Sequence, residues 1–190
     1  MIVGNHDTYF KNTNEVNSLD ELIGSRYENI KIYRETNHKI NKLWRDAQLF
    51  LKDGNTFGLY GVLFVEDGKI LLPSGLHLRY DDLQFTTTDK GVEFDYKTRR
   101  GRTRIYGGKI IENVCQAIAR CIIGEQMLQI AKRYRVVLTV HDSIACCVKD
   151  EEVDEAQQYV EECMRQPPEW AEGLPIDCES GKGKSYGECG

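Results

Sequence analysis

The stretch VVLTVHDSIACCV, residues 136–148, decides the fold of this chain. Two apolar runs flank the polar tripeptide His141-Asp142-Ser143, and each run is short enough for one strand. Apolar runs around a brief polar break predict an antiparallel hairpin. We expect two buried strands to hold a three-residue tip that exposes the Asp142 carboxylate to solvent.

A carboxylate at such a tip has two interpretations. Aspartate is common in turns, and on the tripeptide alone a simple turn former is the better interpretation of Asp142. A rigid, exposed carboxylate also suits Mg²⁺, which demands near-ideal geometry but takes only one or two protein carboxylates. The residues around the hairpin decide between the two.

Two amphipathic helices are predicted, one before and one after the hairpin. The first covers about residues 109–132, and its apolar stripe consists of Ile111, Val114, Cys115, Ile118 and Ile122. Its polar stripe consists of Glu112, Asn113, Gln116 and Arg120. The second covers about residues 150–164 and opens with acidic residues, which suit a helix N-terminus.

The rest of the chain gives weaker signals. Asp67-Gly68 between apolar runs predicts a hairpin of residues 59–65 and 69–72. A short helix is predicted at residues 43–51 from its apolar spacing. Further strands are predicted at residues 30–33, 76–80, 92–96 and 174–178, and the Gly-rich C-terminus is predicted to be a mobile tail. These elements together predict an α+β fold with an antiparallel sheet.

The composition fits a soluble globular protein of one domain, or of one domain with an appendage. The 190 residues are 41% hydrophobic and 29% charged, and the net charge is −5. No apolar run approaches the roughly 20 residues that span a membrane, and the N-terminus does not resemble a signal peptide. Seven scattered cysteines without a C-x-x-C pair indicate reduced thiols, so we expect a cytoplasmic protein with no membrane partner.

Six cations crowd the segment that leads into the first predicted helix. They are Lys97, Arg99, Arg100, Arg102, Arg104 and Lys109. Such a cluster provides sequence-independent, salt-sensitive affinity for DNA phosphates. In isolation a solvated charged loop is the better interpretation. The neighbouring Asn113 and Gln116 favour DNA contact, because an amide suits the minor-groove acceptors that all base pairs share.

Several segments in the same order resemble family A DNA polymerases of the phage type. The two main ones are YGGKIIENVCQAIAR, residues 106–120, and the hairpin stretch 136–148. The closing stretch PPEWAEGLPIDCESGKGKSYG and the segments LWRDAQLFL and LLPSGLHLRY are also similar to that family. The resemblance covers about residues 41–190. It implies a palm-type antiparallel sheet with packed helices, in which the hairpin is motif C.

The resemblance implies roles for individual residues. Asp142 would bind the catalytic Mg²⁺ (or Mn²⁺) ions, and His141 would lie near the 3′ end of the primer. Gln116, with Asn113 beside it, would contact the minor groove. Ser143 stands where many members of the family have a glutamate. The implied reaction is two-metal nucleotidyl transfer on primer-template DNA.

Two parts that the resemblance requires are absent from the sequence. One is motif A, whose aspartate binds the same two metals, and the other is the fingers helix that binds deoxynucleoside triphosphates. We therefore expect the chain to be inactive alone, or to be complemented by another polymerase chain that supplies these parts. If the chain is encoded by a phage, its location would be the host cytoplasm.

The N-terminus has a second resemblance. The stretch IVGNHD, residues 2–7, is similar to one motif of the calcineurin-like metallophosphoesterases, and its continuation resembles phage recombination nucleases. In that family Asn5 would bind a metal and His6 would act at the phosphate, although both also suit a plain turn. The expected division is a phosphoesterase-like fragment at 1–40 and a polymerase palm segment at 41–190. The alternative functions are a nuclease fragment and an inert DNA-binding remnant.

Overall fold

The computed structural model describes residues 19–53, 64–66, 69–89 and 91–189. It contains four α-helices and three antiparallel sheets within these ranges, which confirms the α+β class. The described residues fall into two compact units that meet in sequence between Val114 and Cys115. Each unit is described separately.

Two consecutive helices open the first unit. They are α1 (Leu19–Thr36) and α2 (His38–Asp53). The short helix predicted at 43–51 is confirmed and lies inside α2. The strand predicted at 30–33 is wrong, because those residues belong to α1. Charged residues at helical spacing, such as the ion pair Lys31–Glu35, outweigh the β-propensity of a short apolar run.

A small three-stranded sheet follows, with strands β1 (Phe64–Glu66), β2 (Lys69–Leu71) and β3 (His77–Arg79). Glu66 pairs with Lys69, so the hairpin predicted around Asp67-Gly68 is confirmed for its described residues. Residues 59–63 of the predicted first strand lie outside the described residues. β3 confirms the strand predicted at 76–80.

The second sheet contains β4 (Gln84–Thr88), β5 (Gly91–Thr98) and β6 (Gly101–Ile105). β5 confirms the strand predicted at 92–96, whereas β4 and β6 were not predicted. Phe94 on β5 and Ile105 on β6 pair with each other and are both buried, so they mark the apolar face. The cations from Lys97 to Arg104 therefore lie on an antiparallel hairpin and not in a loop.

Helix α3 (Gly107–Ala131) confirms the long helix predicted at about 109–132. Its first turn lies against α2, where a Cβ added to Gly107 would be 1.9 Å from the Trp44 carbonyl oxygen. The Gly107 N–H donates to Gln48 Oε1 at 2.6 Å. Glycine is thus required at this close approach. The predicted apolar stripe is only partly correct, because Val114 is buried whereas Cys115 is exposed.

The second unit packs a hairpin against two helices. The hairpin consists of β7 (Arg135–Val140) and β8 (Ser143–Cys147), and helix α4 (Val153–Arg165) follows a 3-10 turn. The predicted helix at 150–164 is thus confirmed. The core joins β8, the C-terminal half of α3 and α4, and its buried residues are Ile130, Tyr134, Ile144, Ala156, Val160, Cys163 and Met164.

The C-terminal segment runs alongside α4 without forming a strand, so the strand predicted at 174–178 is wrong. Arg165 at the end of α4 donates to Asp177 Oδ1 at 2.9 Å and to the Cys178 carbonyl at 3.0 Å. The side chain of Arg165 thus holds this segment in place, where the prediction expected pairing with another strand. The tail predicted to be mobile is bound to α4 and the turn before it, through the ion pairs Lys182–Asp154 and Lys184–Asp150. All seven cysteines are free thiols.

Candidate active-site hairpin and nucleic-acid interface

The tip of the β7–β8 hairpin is a two-residue turn. Val140 pairs directly with Ser143, so the turn contains only His141 and Asp142. This corrects the expected three-residue tip, because Ser143 is the first residue of β8 and is 8% exposed. Asp142 is exposed, which confirms the expected position of its carboxylate. His141 has a φ of 52°, a left-handed conformation that is uncommon for residues other than glycine.

A β-bulge changes which face of β7 is buried. The register shifts between Val136 and Leu138, so Val137 has no partner on β8. Beyond the bulge, Thr139 pairs with Ile144 on the core face. Leu138 and Val140 consequently lie on the opposite face and are 44% and 37% exposed. The expectation of two buried strands therefore holds for the first half of β8 but is wrong for β7.

The core anchors the tip through β8. Ile144, two residues after Asp142, is 1% exposed and belongs to the cluster that includes Ile130 of α3 and Val160 of α4. A fully buried aliphatic side chain contributes about 1.5–3 kcal/mol relative to an exposed one. The position of the Asp142 carboxylate therefore depends on the packing of two helices.

The described residues do not complete a metal site. No group of three His, Cys, Asp or Glu side chains lies close enough together to hold a metal ion in the described part of the chain. Mg²⁺ prefers octahedral oxygen coordination, and a two-metal site needs more than one carboxylate. Asp142 provides one. The hydroxyl of the adjacent Ser143 is mostly buried and carries no charge, so it does not replace a glutamate.

The two amide candidates on α3 have different surroundings. Asn113 donates from Nδ2 to the hydroxyl of Tyr80 at 3.0 Å, and Tyr80 is itself buried. Burial raises the pKa of Tyr80, and the hydrogen bond from Asn113 opposes that shift only in part, so the phenol stays protonated. Tyr80 therefore fixes the orientation of the Asn113 amide. Gln116 lies on an exposed part of the helix.

Three of the six predicted DNA-binding cations form ion pairs within the chain. Lys109 Nζ is 2.6 Å from Glu112 Oε1, and Arg104 Nη2 is 3.0 Å from Glu93 Oε2. Arg102 pairs with two carboxylates, those of Asp82 and Asp95. An ion pair must be broken or shared before the same cation neutralises a phosphate. The sequence did not indicate that half of the basic cluster has acidic partners.

Arg102 braces the turn before β4. Its Nη1 donates to Asp82 Oδ2 at 2.6 Å and its Nη2 to the Asp82 carbonyl at 2.8 Å, while Nε donates to Asp95. Asp82 has a φ of 49°, so the arginine holds a residue in a sparsely populated conformation. Hydrogen bonds from Gln84 and then from Arg102 lower the pKa of Asp82. The carboxyls likewise raise the pKa of Arg102.

The turn of the basic hairpin presents its cations differently. Arg99 and Arg100 form the turn between the paired residues Thr98 and Gly101, and both are exposed. Within the described residues neither makes an ion pair, and we call these two residues the basic turn. The Thr98 hydroxyl accepts from the Arg100 N–H at 3.3 Å and donates to the Gly101 carbonyl at 2.7 Å. Local hydrogen bonds thus fix the turn and leave both guanidinium groups exposed.

The N-terminal candidates, Asn5 and His6, lie outside the described residues. The metal role expected for them in the phosphoesterase resemblance therefore stays a prediction.

Comparison with known proteins relates the chain to a phage polymerase. It is 31% identical over 180 residues to the DNA polymerase of Bacillus phage SP02. The match takes in 82% of this chain and 26% of that polymerase, so the chain spans about a quarter of its relative's length. No family model and no solved structure matches the chain. None of the described helices is long and apolar enough to cross a membrane.

Proposed function

We propose that this chain is a palm segment of a phage-type family A DNA polymerase. Its β7–β8 hairpin would be motif C, and Asp142 would be one ligand of the catalytic Mg²⁺ or Mn²⁺ ions. The observation that carries the proposal is the exposed Asp142 carboxylate on a two-residue turn anchored by the buried Ile144. The similarity to the SP02 polymerase supports it over a simple turn-forming role.

The site requires a partner. Asp142 alone does not fit the metal, so a second carboxylate, that of motif A, comes from another polymerase chain or segment. β7 has one strand partner among the described residues, and its outward residues Leu138 and Val140 are partly exposed. An exposed strand edge beside apolar side chains favours pairing with a further strand. We propose that the missing part of the palm sheet covers this side of the hairpin.

Primer-template DNA is the proposed ligand of the exposed cations and amides. The basic turn would contact backbone phosphates, which provide affinity without sequence preference. Gln116 would donate to the minor-groove acceptors, and Asn113 would do the same in the orientation that Tyr80 imposes. His141 would lie beside the primer terminus. Deoxynucleoside triphosphates would bind only when the fingers are supplied.

Primer extension by the purified chain tests the claim of incompleteness. With Mg²⁺ or Mn²⁺, we expect no template-dependent incorporation by the chain alone, because one carboxylate does not hold two catalytic metal ions. Duplex DNA should still bind at low salt. Robust incorporation by the chain alone would disprove the requirement for a partner. Loss of incorporation with retained duplex binding, in a polymerase reconstituted around this chain, would favour the inert DNA-binding remnant.

A further inference from the structure

A groove of about 1080 Å³ opens in the first unit between α1, α2 and the start of α3. None of the residues proposed above for primer-template contact lines it. Its chemically distinctive lining residues are Arg34, His38, Trp44, Arg45, Gln48 and Tyr106. The groove therefore combines basic and aromatic side chains at a place that the polymerase proposal leaves without a role.

One face of α2 forms a wall of the groove. His38, Asn41, Arg45 and Gln48 recur at spacings of three and four residues, so they project from the same side of the helix. The opposite wall begins where Gly107 meets α2. The hydrogen bond from the Gly107 N–H to Gln48 Oε1 at 2.6 Å joins the two walls. This hydrogen bond and the close approach of Gly107 to Trp44 hold α2 and the start of α3 together beside the groove.

The charge of the groove is positive. Arg34, His38 and Arg45 are exposed, and neither arginine forms an ion pair with another described residue. Glu112 is the one acidic residue among those that line the groove, and its carboxylate is 2.6 Å from Lys109 Nζ. The lining therefore favours an anionic ligand.

The aromatic side chains restrict the kind of anion. The Tyr106 ring is 60% exposed although it lies beside a helix start, and Trp44 is partly exposed. Exposed aromatic faces beside cations are typical of surfaces on which nucleobases stack while the phosphates are neutralised. The groove volume is slightly above the roughly 300–1,000 Å³ of small-molecule sites, which favours a segment of a longer ligand.

We propose that this groove binds a single strand of nucleic acid, with bases stacked on Tyr106 and Trp44 and phosphates on Arg34 and Arg45. Stacking requires bases whose faces are accessible, and a duplex hides those faces between neighbouring base pairs. The groove is therefore a single-strand site, whereas the basic turn and Gln116 are proposed to bind duplex. This inference goes beyond the proposed function and stands without it.

Tryptophan fluorescence tests the groove because the chain has two tryptophans, Trp44 and Trp170. Trp170 belongs to the second unit, where its Nε1 donates to Glu125, so the Trp170→Phe variant reports on Trp44 alone. We expect a short oligothymidylate to quench the fluorescence of Trp170→Phe and to leave that of Trp44→Phe unchanged. Quenching should persist in the double variant Arg99→Ala/Arg100→Ala.

Affinities of a labelled oligothymidylate sharpen the test. Tyr106→Ala should weaken binding at least about fivefold, the lower end of the effect of losing one base–aromatic stack. Arg34→Ala/Arg45→Ala should reduce the log–log salt slope by roughly 1.4, because each phosphate on a single strand contributes about 0.7. Arg135→Ala removes an exposed arginine outside the groove and should change neither quantity.

Three outcomes would overturn the inference. The first is no quenching of Trp44 at low salt, and the second is full affinity in Tyr106→Ala. The third is equal quenching by a blunt duplex or by an abasic strand of the same length, because the groove would then respond to charge without recognising bases.

Discussion

Two hairpins in the described part of the chain, β5–β6 and β7–β8, close with two-residue turns but distribute charge in opposite ways. In β7–β8 the strands are largely apolar, and the charged Asp142 is at the turn. In β5–β6 cations occupy both the strand and the turn. The strand cations Arg102 and Arg104 are paired with carboxylates, whereas the basic turn is exposed. In both hairpins, then, the turn exposes charged side chains to solvent.

The largest expected effect concerns strand β8 of the β7–β8 hairpin. Ile144→Ala should lower the free energy of unfolding by about 2–5 kcal/mol, because it opens a cavity in a closely packed core. Val137→Ala, at the exposed bulge residue, is the matched control and should change stability by about 0.5 kcal/mol or less. Urea denaturation measures both. Equal losses would mean that β8 does not anchor the tip.

The basic turn should affect DNA binding without affecting stability. Arg99→Ala/Arg100→Ala should reduce the log–log salt slope of duplex binding by roughly 1.8, since each phosphate contact on duplex DNA contributes about 0.9. Arg102→Ala should leave the slope nearly unchanged and lower the melting temperature instead, because Arg102 braces Asp82. Filter binding across a salt series measures the slope, and thermal unfolding measures the melting temperature. If the slope fell only in Arg102→Ala, then Arg102 and not the basic turn would contact the phosphates.

A smaller effect is expected from the amide on α3. Gln116→Ala should weaken binding to a primer-template by about 1 kcal/mol, the net value of one hydrogen bond, without changing the salt slope. A base-edge hydrogen bond displaces few counterions, unlike an arginine–phosphate contact. Gln158→Ala, an exposed glutamine on α4, serves as the control. A changed slope in Gln116→Ala would show that this residue acts through the phosphate backbone.

The smallest expected effect is a pH dependence in the basic hairpin. The pKa of Asp82 is below its ordinary value of 3.8, so its ionised form stabilises the folded state above that value. This contribution disappears as the pH falls through the lowered pKa. The melting temperatures of wild type and Asp82→Asn should therefore differ most near neutrality and converge in acid. A difference that grows on acidification would contradict the sign of the shift.

Strong periodicity explains which elements could be predicted. Helix α3 has a long apolar pattern at helical spacing, and the two short apolar runs of 136–148 around a polar break fit a hairpin. β6 was missed because its alternating residues are arginine with glycine or threonine, which suggests a loop by composition. Within β6, Arg102 and Arg104 alternate with Thr103 and Ile105, which satisfies the two-residue period of a strand with one charged face. Charged residues that alternate along the sequence can therefore predict a strand as well as alternating apolar residues do.

The remaining errors arise from contacts that local patterns do not encode. Arg102 pairs with Asp82, twenty positions earlier, and only the pairing of β4, β5 and β6 brings them together. The bulge at Val137 likewise moves Leu138 and Val140 to the outer face, although a regular strand would place Val136 beside them. Asp142 was predicted correctly as a tip residue because it lies in the turn whether the turn has two residues or three. The shorter turn changes only the position of Ser143, which joins β8.

The most direct test of the central claim is primer extension by a chimera in which this chain replaces the matching quarter of the Bacillus phage SP02 DNA polymerase. We predict template-dependent extension that Asp142→Asn abolishes and that Glu151→Gln, at an exposed acidic residue of the same unit, leaves intact. A folded chimera that extends primers equally well with Asp142→Asn would contradict the account.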